Sequence, residues 1–263
     1  MNRVPLLPGR KRPLIFAHRG CSSLAPENTM AAYRKARDLG TPGIELDVHV
    51  CASGELVVAH DDTFNRTALL SKQGDGAALF NRTIEDLTLE VIRTIDVGAF
   101  FNPSGTGEHP PLLEEVLEEF CPAMYIDIEL KTRKTKNDPL PGALVEKLKA
   151  LGDRILQSVT ISSFNPFSLA AVKRRCPAIP TAIIWSADKD VPFILRHGFG
   201  RILSSCDYLK PVHLQVNRLS YFRFTGLEGR PQVPWTIDDP ALAEKLFNLG
   251  CEGIITNRPQ EYE

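Results

Sequence analysis

GIELDVHV (residues 43–50) alternates apolar and polar side chains, as a β-strand does. Successive side chains of a strand point to opposite faces. One face therefore carries Ile44, Leu46 and Val48, and the other carries Glu45, Asp47 and His49. Two carboxylates on one buried face are costly unless a cation neutralises them, so the stretch predicts a metal site. The alternative is a solvated strand face. His49 could be a ligand, but we expect it below the site as a packing or supporting residue.

MYIDIELK (residues 124–131) repeats the pattern on a second apolar run. Glu129 is predicted to complete an oxygen-only site with Glu45 and Asp47. Such a site suits one divalent cation, Mg²⁺ or Ca²⁺, better than a softer metal. Lys131 would supply a positive charge for an oxyanion, whereas Asp127 is expected to lie deeper and to be structural.

Short apolar runs alternate with helical patterns along the chain, which is typical of repeated βα units around a parallel sheet. Candidate strands cover residues 13–18, 43–50, 124–130, 158–162, 181–184, 206–209, 232–236 and 253–256. Helices are predicted at 28–39, 113–120, 142–151, 166–175, 191–197, 216–225 and 240–249. These elements predict an α/β fold, a (β/α)8 TIM barrel that fills the 263 residues as one domain. The chain stops soon after the last strand, so the final helix is expected to be missing or reduced to a turn.

Residues 61–111 interrupt this rhythm, because about fifty residues stand where βα loops usually take about 2 to 6. The segment is rich in apolar side chains, and its piece IEDLTLEVIRTID (residues 84–96) looks helical. It follows a strand, and the carboxyl ends of barrel strands form the catalytic rim. We therefore predict a small inserted capping subdomain; the alternative is a surface insertion without a role.

The charge of the chain is balanced, with 31 Lys and Arg against 32 Asp and Glu and a net charge of -1. No overall field attracts nucleic acid or anionic lipid, so any bound anion needs a local site. The six cysteines have no zinc-type spacing and are expected to be reduced. No membrane span and no signal peptide are predicted, so the expected location is the cytoplasm. The sequence leaves the oligomeric state open.

Two histidines end apolar runs. FAHRG (residues 16–20) places His18 beside Arg19, a proton carrier next to an anion-binding group, although a lone histidine is more often structural. ELVVAHDD (residues 55–62) brings His60 to the same rim, and two histidines together suit general acid and base catalysis. Phe164 and Trp235, also at strand ends, either wall a substrate site or pack in the core.

In order along the chain, HRG, PENT, E-L-D, H-D, E-L-K, W-T and G-I-I-T-N-R-P resemble the glycerophosphodiester phosphodiesterase family. The resemblance covers nearly the whole chain. It implies that a divalent cation is held by Glu45, Asp47 and Glu129. It implies acid-base catalysis by His18 and His60, and phosphate binding by Arg19 and Lys131. It also makes Glu27 and Asn28 of PENT site residues, the first near the metal or its waters and the second near a histidine. The insertion matches the capping subdomain of that family.

One departure from the family pattern lies near the end of the chain. Where the family commonly has T-D-x-P, this chain has Thr256, Asn257, Arg258 and Pro259. We expect the change to affect only local packing under the last strand, without touching the catalytic set.

The resemblance implies hydrolysis of a small-molecule glycerophosphodiester to sn-glycerol 3-phosphate and an alcohol. By the same resemblance, the glycerol 2-hydroxyl is the expected nucleophile, and it gives a cyclic phosphate that water later opens. The sequence leaves open which histidine is the acid and which is the base; we expect His18 as base and His60 as acid. A lysophospholipase D is an alternative, but it would need an apolar channel or a membrane-facing lip, which the sequence does not indicate. A phosphodiester-binding barrel without catalysis, or an unrelated metal-dependent isomerase, leaves the histidines, Arg19 and Lys131 unexplained.

Overall fold

The computed structural model describes residues 13–74, 76–132, 134–189 and 191–262, and these form a curled sheet of parallel strands surrounded by helices. Residues 1–12, where a signal peptide would begin, lie outside this description. The strands are β1 (Leu14–His18), β2 (Gly43–Val50), β3 (Leu56–Val58), β4 (Tyr125–Leu130), β5 (Val159–Ser163), β6 (Thr181–Trp185), β7 (Tyr208–Pro211) and β8 (Gly253–Thr256). They are ordered β7-β6-β5-β4-β2-β1-β8, and β3 pairs antiparallel with β2. This confirms the predicted barrel.

The helices lie between the strands in sequence. They are α1 (Met30–Asp38), α2 (Leu89–Ile92), α3 (Leu113–Phe120), α4 (Leu140–Leu151), α5 (Asp153–Leu156), α6 (Pro166–Arg175), α7 (Gly200–Ser204), α8 (Arg218–Tyr221) and α9 (Pro240–Leu249). Side-chain caps fix several starts: Asn165 and Asp239 accept the backbone amides of Phe167 and Ala241. Gly250 ends α9 with φ 107°, a conformation that glycine adopts without strain. None of the described helices has both the length and the apolarity needed to cross a bilayer.

The prediction of a strand at 232–236 is wrong. Pro231 and Pro234 have no amide hydrogen, so a regular ladder cannot form there. The segment nevertheless fills the space between β7 and β8, where the Val233 amide donates to Leu209 O (2.9 Å) and the Ile255 amide donates to Pro234 O (3.0 Å). The ring of strands is thus closed by an irregular segment.

Three other predictions need correction. β7 begins two residues later than the predicted 206–209, which places Lys210 inside the strand. The predicted helix 191–197 is reduced to a 3₁₀ turn at Phe193–Leu195. The predicted helix 216–225 consists of α8 and a π-helical turn at Phe222–Leu227.

A 3₁₀ turn at Pro259–Tyr262 stands where the eighth helix of a barrel would follow β8, as expected. Its Tyr262 hydroxyl donates to Ile237 O (2.9 Å), and the ring packs against a small buried cluster that includes Ile15 and Ile254. This turn therefore covers part of the barrel surface beside β1 and β8.

Residues 61–111 contribute most of a second, smaller hydrophobic cluster. Its buried members are Cys51, Val57, Ala59, Phe64, Ile84, Leu87, Ile92, Ile95, Val97 and Leu112. The predicted helical piece forms a 3₁₀ turn at Ile84–Asp86 followed by the short α2. The insertion after β3 therefore packs into a hydrophobic cluster that it shares with β3 and the residues around it.

Candidate active site

Three carboxylates meet on neighbouring strands. β2 and β4 pair in parallel register, with Glu45 opposite Asp127 and Asp47 opposite Glu129. Carboxylate oxygens of Glu45, Asp47 and Glu129 lie within 4.8 Å of one another, and all three residues are buried. The structure thus brings together the three residues that the sequence predicts as metal ligands.

The electrostatics of this carboxylate cluster favour an added positive charge. Burial, together with the charges of Asp47 and Glu129, raises the pKa of Glu45 to about 8. Burial also opposes ionisation of Asp47, but the charges of Lys131 and Arg19 outweigh it and hold the pKa of Asp47 well below its usual range. The cations of the protein therefore compensate Asp47 but not Glu45. A divalent cation would supply the missing charge, and the all-oxygen donor set fits such an ion.

Lys131 and Arg19 border the carboxylate cluster. Lys131 Nζ lies 3.0 Å from Glu129 Oε1 and 3.5 Å from Asp47 Oδ1. Arg19 Nε lies 3.3 Å from Asp47 Oδ2, and its backbone amide donates to Glu45 Oε2 (3.2 Å). Burial works against the protonated lysine, but Glu129 and Asp47 more than offset this and raise the pKa of Lys131. Both predicted phosphate-binding residues are therefore charged and lie beside the predicted metal ligands.

His18 is held by Asn257, which was expected to affect only local packing. Its Nδ1 lies 2.7 Å from Asn257 Oδ1, while Asn257 Nδ2 donates to Asp238 Oδ2 (2.8 Å). The carboxylate of Asp238 can only accept, so it bonds to the NH₂ group of the Asn257 side chain. The amide oxygen of Asn257 then faces the imidazole, and His18 Nδ1 carries the proton that it accepts. The expectation that Asn257 leaves the catalytic set untouched is therefore wrong.

The other nitrogen of His18 faces the carboxylate cluster, with Nε2 3.9 Å from Glu45 Oε2. Burial, and then the charge of Arg19, lowers the pKa of His18 to about 4. The ring is therefore neutral near pH 7, with its unprotonated nitrogen directed at the site.

His60 belongs to a chain of charged contacts that starts in the insertion. His60 Nδ1 lies 2.7 Å from Asp61 Oδ1, and Asp61 Oδ2 accepts a hydrogen bond from Arg66 Nε (2.8 Å). Arg66 also binds both oxygens of Glu27 (2.7 and 2.9 Å), and Glu27 accepts from Arg19 NH1 (2.9 Å). Glu27 thus pairs with two arginines, and through them the insertion is connected to both His60 and Arg19.

Asn28, the neighbour of Glu27, is tied to the carboxylate cluster. Its amide donates to Asp47 Oδ2 (2.9 Å), and its Oδ1 accepts the hydroxyl of Tyr33 (2.9 Å). These partners differ from the histidine that the resemblance implied. Asn28 and His60 nevertheless line one cavity, together with Phe64 and Val97 of the cluster formed by the insertion. The insertion therefore reaches the concave surface beside the site.

Phe164 and Trp235 lie together near the carboxyl ends of the strands. Their rings pack edge to face with centroids 5.8 Å apart, and Trp235 Nε1 donates to Lys210 O (3.0 Å). The structure brings this predicted pair into contact, while their role toward a substrate stays a prediction.

One charged residue below the site, Lys210, was not predicted. Lys210 is buried and forms an ion pair with Asp127, which also accepts the hydroxyls of Thr160 (3.2 Å) and Ser162 (2.9 Å). A lysine inside the apolar run YLKP was the available signal. These buried contacts of Asp127 support the structural role that was expected for it. His49 is buried with Nε2 3.4 Å from His60 O, a supporting contact.

Comparison with known proteins identifies a class of barrel hydrolases. A model of the glycerophosphoryl diester phosphodiesterase family matches residues 18–261. A glycerophosphodiester phosphodiesterase of Caldanaerobacter subterraneus subsp. tengcongensis is 31% identical, over 95% of this chain and 96% of the relative. A glycerophosphodiester phosphodiesterase of Bacillus subtilis is 30% identical, over 94% of this chain and 84% of the relative. This chain belongs to the glycerophosphoryl diester phosphodiesterase family, and the predicted enzyme class is confirmed.

Solved structures agree with this assignment. An Oleispira antarctica phosphodiesterase, solved in complex with the product sn-glycerol-3-phosphate, has a TM-score of 0.80 and 29% identity, covering 95% of this chain and 94% of that one. A glycerophosphodiester phosphodiesterase from Thermotoga maritima shares the fold, with a TM-score of 0.71 and 21% identity. The match covers 96% of this chain and 98% of that one.

Proposed function

We propose that the protein hydrolyses glycerophosphodiesters, such as glycerophosphocholine or glycerophosphoethanolamine, to sn-glycerol 3-phosphate and an alcohol, using a divalent cation and two histidines. The convergence of the carboxylate cluster, two cationic side chains and two histidines in one group of contacts carries this proposal. The product bound to the Oleispira phosphodiesterase supports the choice of substrate class. Free thiols at all six cysteines suit a reducing compartment, and we propose the cytoplasm.

Glu45, Asp47 and Glu129 are the residues that would hold the cation, Mg²⁺ or Ca²⁺ rather than Zn²⁺, because all donors are carboxylate oxygens. When bound, such an ion supplies positive charge for the phosphoryl oxygens. Arg19 and Lys131 add two fixed positive charges beside it. A phosphodiester anion is therefore drawn to this place, and charge that develops on its oxygens is stabilised.

The hydrogen bonds of the two histidines support different roles. His18 presents an unprotonated Nε2 to the site, so it can accept the proton of the attacking hydroxyl. His60 has its Nδ1 bonded to the carboxylate of Asp61, which compensates a positive ring, so it can give a proton to the departing alkoxide. We therefore assign His18 as base and His60 as acid.

Turnover of glycerophosphocholine before and after treatment with EDTA tests the proposal. We expect release of choline and sn-glycerol 3-phosphate, loss of activity on chelation, and recovery with Mg²⁺ or Ca²⁺ better than with Zn²⁺. Full activity after exhaustive chelation would exclude the metal. No turnover with any of the ions would leave a barrel that only binds phosphodiesters.

A further inference from the structure

An exposed apolar surface lies on the connections that follow β6 and β7. In the described parts of the chain, thirteen large hydrophobic side chains are exposed, and nine of them fall within residues 193–227. We call these nine residues the apolar flank: Phe193, Ile194, Phe199, Ile202, Leu203, Leu214, Leu219, Phe222 and Leu227. Scattered exposed hydrophobics are ordinary, but a concentration in one part of a surface marks a contact site.

The helical stretch 218–227, formed by α8 and the π-helical turn, shows the arrangement clearly. Its exposed residues come as neighbouring pairs, and each pair follows the previous one by four residues, so all of them lie on one face. The pairs are Arg218 and Leu219, Phe222 and Arg223, and Gly226 and Leu227. Leu219, Phe222 and Leu227 are 76%, 59% and 65% exposed. The opposite face buries Phe224 and Thr225. Apolar side chains thus occupy the solvent face of this helix as well as the core face.

Two contacts hold the connections of the apolar flank side by side. Trp185 Nε1, at the end of β6, donates to Gln215 Oε1 (2.8 Å) after β7. Arg201 NH2 in α7 lies 2.9 Å from Glu228 Oε1, just past the π-helical turn. The exposed hydrophobic residues at 193–203, after β6, and at 214–227, after β7, therefore lie on adjacent segments of one side of the barrel.

The charge of this region differs from that of the whole chain. Residues 191–227 contain five Lys and Arg but one acid, Asp207, whereas the full chain has 31 and 32. Two of the five, Arg201 and Lys210, pair with acids outside this range, so Arg196, Arg218 and Arg223 make up the positive charge of this region. Asp207 is itself paired with Lys173. Arg218 and Arg223 are exposed, and neither has a carboxylate partner within the described residues. The apolar flank therefore combines protruding hydrophobic side chains with unpaired positive charge.

We propose that the apolar flank docks on a membrane that contains anionic lipids. Apolar side chains that can enter the headgroup region, beside arginines that meet lipid phosphates, are the chemistry of interfacial binding. A second copy of the chain fits less well, because a two-fold contact would bring unpaired arginines together without acids to meet them.

The apolar flank approaches the rim at Leu214, which is 81% exposed. The amide of the preceding residue, His213, donates to Trp235 O (3.0 Å). Docking would therefore hold the proposed substrate wall near the lipid surface. Docking is a property of the surface, so it does not depend on the proposed hydrolysis.

Cosedimentation with vesicles tests the proposal. We expect binding to vesicles made of equal parts of phosphatidylcholine and phosphatidylglycerol, weaker binding to phosphatidylcholine alone, and release by salt. The double variant Leu219→Ser, Phe222→Ser should lose most of the binding, as should Arg218→Gln, Arg223→Gln, at about fivefold per arginine. Matched controls from elsewhere on the surface are Phe167→Ser and Arg154→Gln, Arg174→Gln. Hydrolysis of soluble glycerophosphocholine should be the same in all variants.

Three outcomes would overturn the proposal. The first is no binding to the mixed vesicles, and the second is binding that the flank variants leave at the level of the controls. The third is a dimer in sedimentation velocity that Leu219→Ser, Phe222→Ser dissociates while vesicle binding is absent, which would make the apolar flank an interface between two copies.

Discussion

The position of the proton on His18 depends on two further side chains: Asn257, which contacts the ring, and Asp238, which holds Asn257. Asp238 accepts two hydrogen bonds from Asn257, from its backbone and from its amide, both at 2.8 Å. This fixes the amide oxygen toward His18 and leaves Nε2 as the basic nitrogen. An asparagine at this place orients the ring without adding a negative charge beside it.

Replacing Asn257 should therefore impair catalysis without removing a catalytic group. We expect Asn257→Leu to lower kcat by about 10- to 100-fold, the usual effect of losing a partner that orients a functional imidazole. Metal affinity measured by calorimetry should not change. Gln260→Leu, a nearby control, should retain the parental kcat. A normal kcat in Asn257→Leu would show that the ring is held by other contacts.

The proposed division of labour between the histidines predicts different responses to the leaving group. Each His→Ala change should reduce kcat on glycerophosphocholine by about 10²-fold or more. A p-nitrophenyl diester needs no acid to expel its leaving group, so His60→Ala should cleave it far better than the natural diester. His18→Ala should show no such rescue, because the nucleophile still needs a base. Rescue of His18→Ala instead would reverse the assignment.

The proposed metal ligands can be tested by removing one charge at a time. We expect Glu45→Gln and Glu129→Gln each to weaken Mg²⁺ or Ca²⁺ binding by about tenfold or more and to abolish turnover, because the charge of the ligands sets affinity for these ions. Circular dichroism should show a retained fold. The exposed Glu244→Gln serves as control. Unchanged calorimetric affinity in both variants would mean that the ion binds elsewhere.

At the scale of elements, one side chain of the insertion connects two parts of the rim. Arg66 is the residue of the insertion that binds both Asp61, the partner of His60, and Glu27, the partner of Arg19. It touches neither the histidine nor the cluster of metal ligands through these contacts, so it is a positioning residue. This arrangement supports the proposal that the insertion is a cap.

We expect Arg66→Met to lower kcat by about tenfold or more with a smaller change in KM, because His60 and Arg19 lose their alignment together. Arg66→Lys should restore part of the activity. Arg82→Met, in the same insertion but outside this chain of contacts, is the control. Thermal unfolding should change little, since Arg66 is 43% exposed. Equal kcat in Arg66→Met and Arg82→Met would contradict the positioning role.

The strands that carry the carboxylates could be predicted because period-2 alternation survives burial in the barrel. In GIELDVHV and YIDIEL the polar side chains share a face, and the register of β2 with β4 then brings Asp47 opposite Glu129. The segment 232–236 could not be predicted as easily, because its apolar residues suit a strand while its prolines prevent one. The pairing of Asn257 with His18, or of Lys210 with Asp127, could not be predicted, since each pair joins residues far apart in the chain. The run YLKP marks an unusual buried lysine but does not indicate its partner.

At the scale of the whole molecule, the backbone pairing between neighbouring strands is not equally regular all around the barrel. β2 and β4 pair over six registered positions, whereas the segment between β7 and β8 makes isolated bridges at Gln232 and Trp235. Backbone hydrogen bonds that do not form a continuous ladder open in smaller and less costly steps. We expect hydrogen exchange at Val233, Trp235 and Ile255 to be faster than at the central amides of β4. Equal protection throughout would show that the side-chain packing compensates.

The proline-containing segment is therefore a seam in an otherwise continuous cylinder. Opening at the seam would separate β7 from β8 while the β6-β5-β4-β2-β1 ladder stays intact. The seam lies directly behind the apolar flank, since the flank residues after β7 are joined to Trp235 through His213. The interrupted part of the strand ladder is thus next to the surface that we propose to rest on the bilayer, and Trp235 lies where this surface meets the catalytic rim.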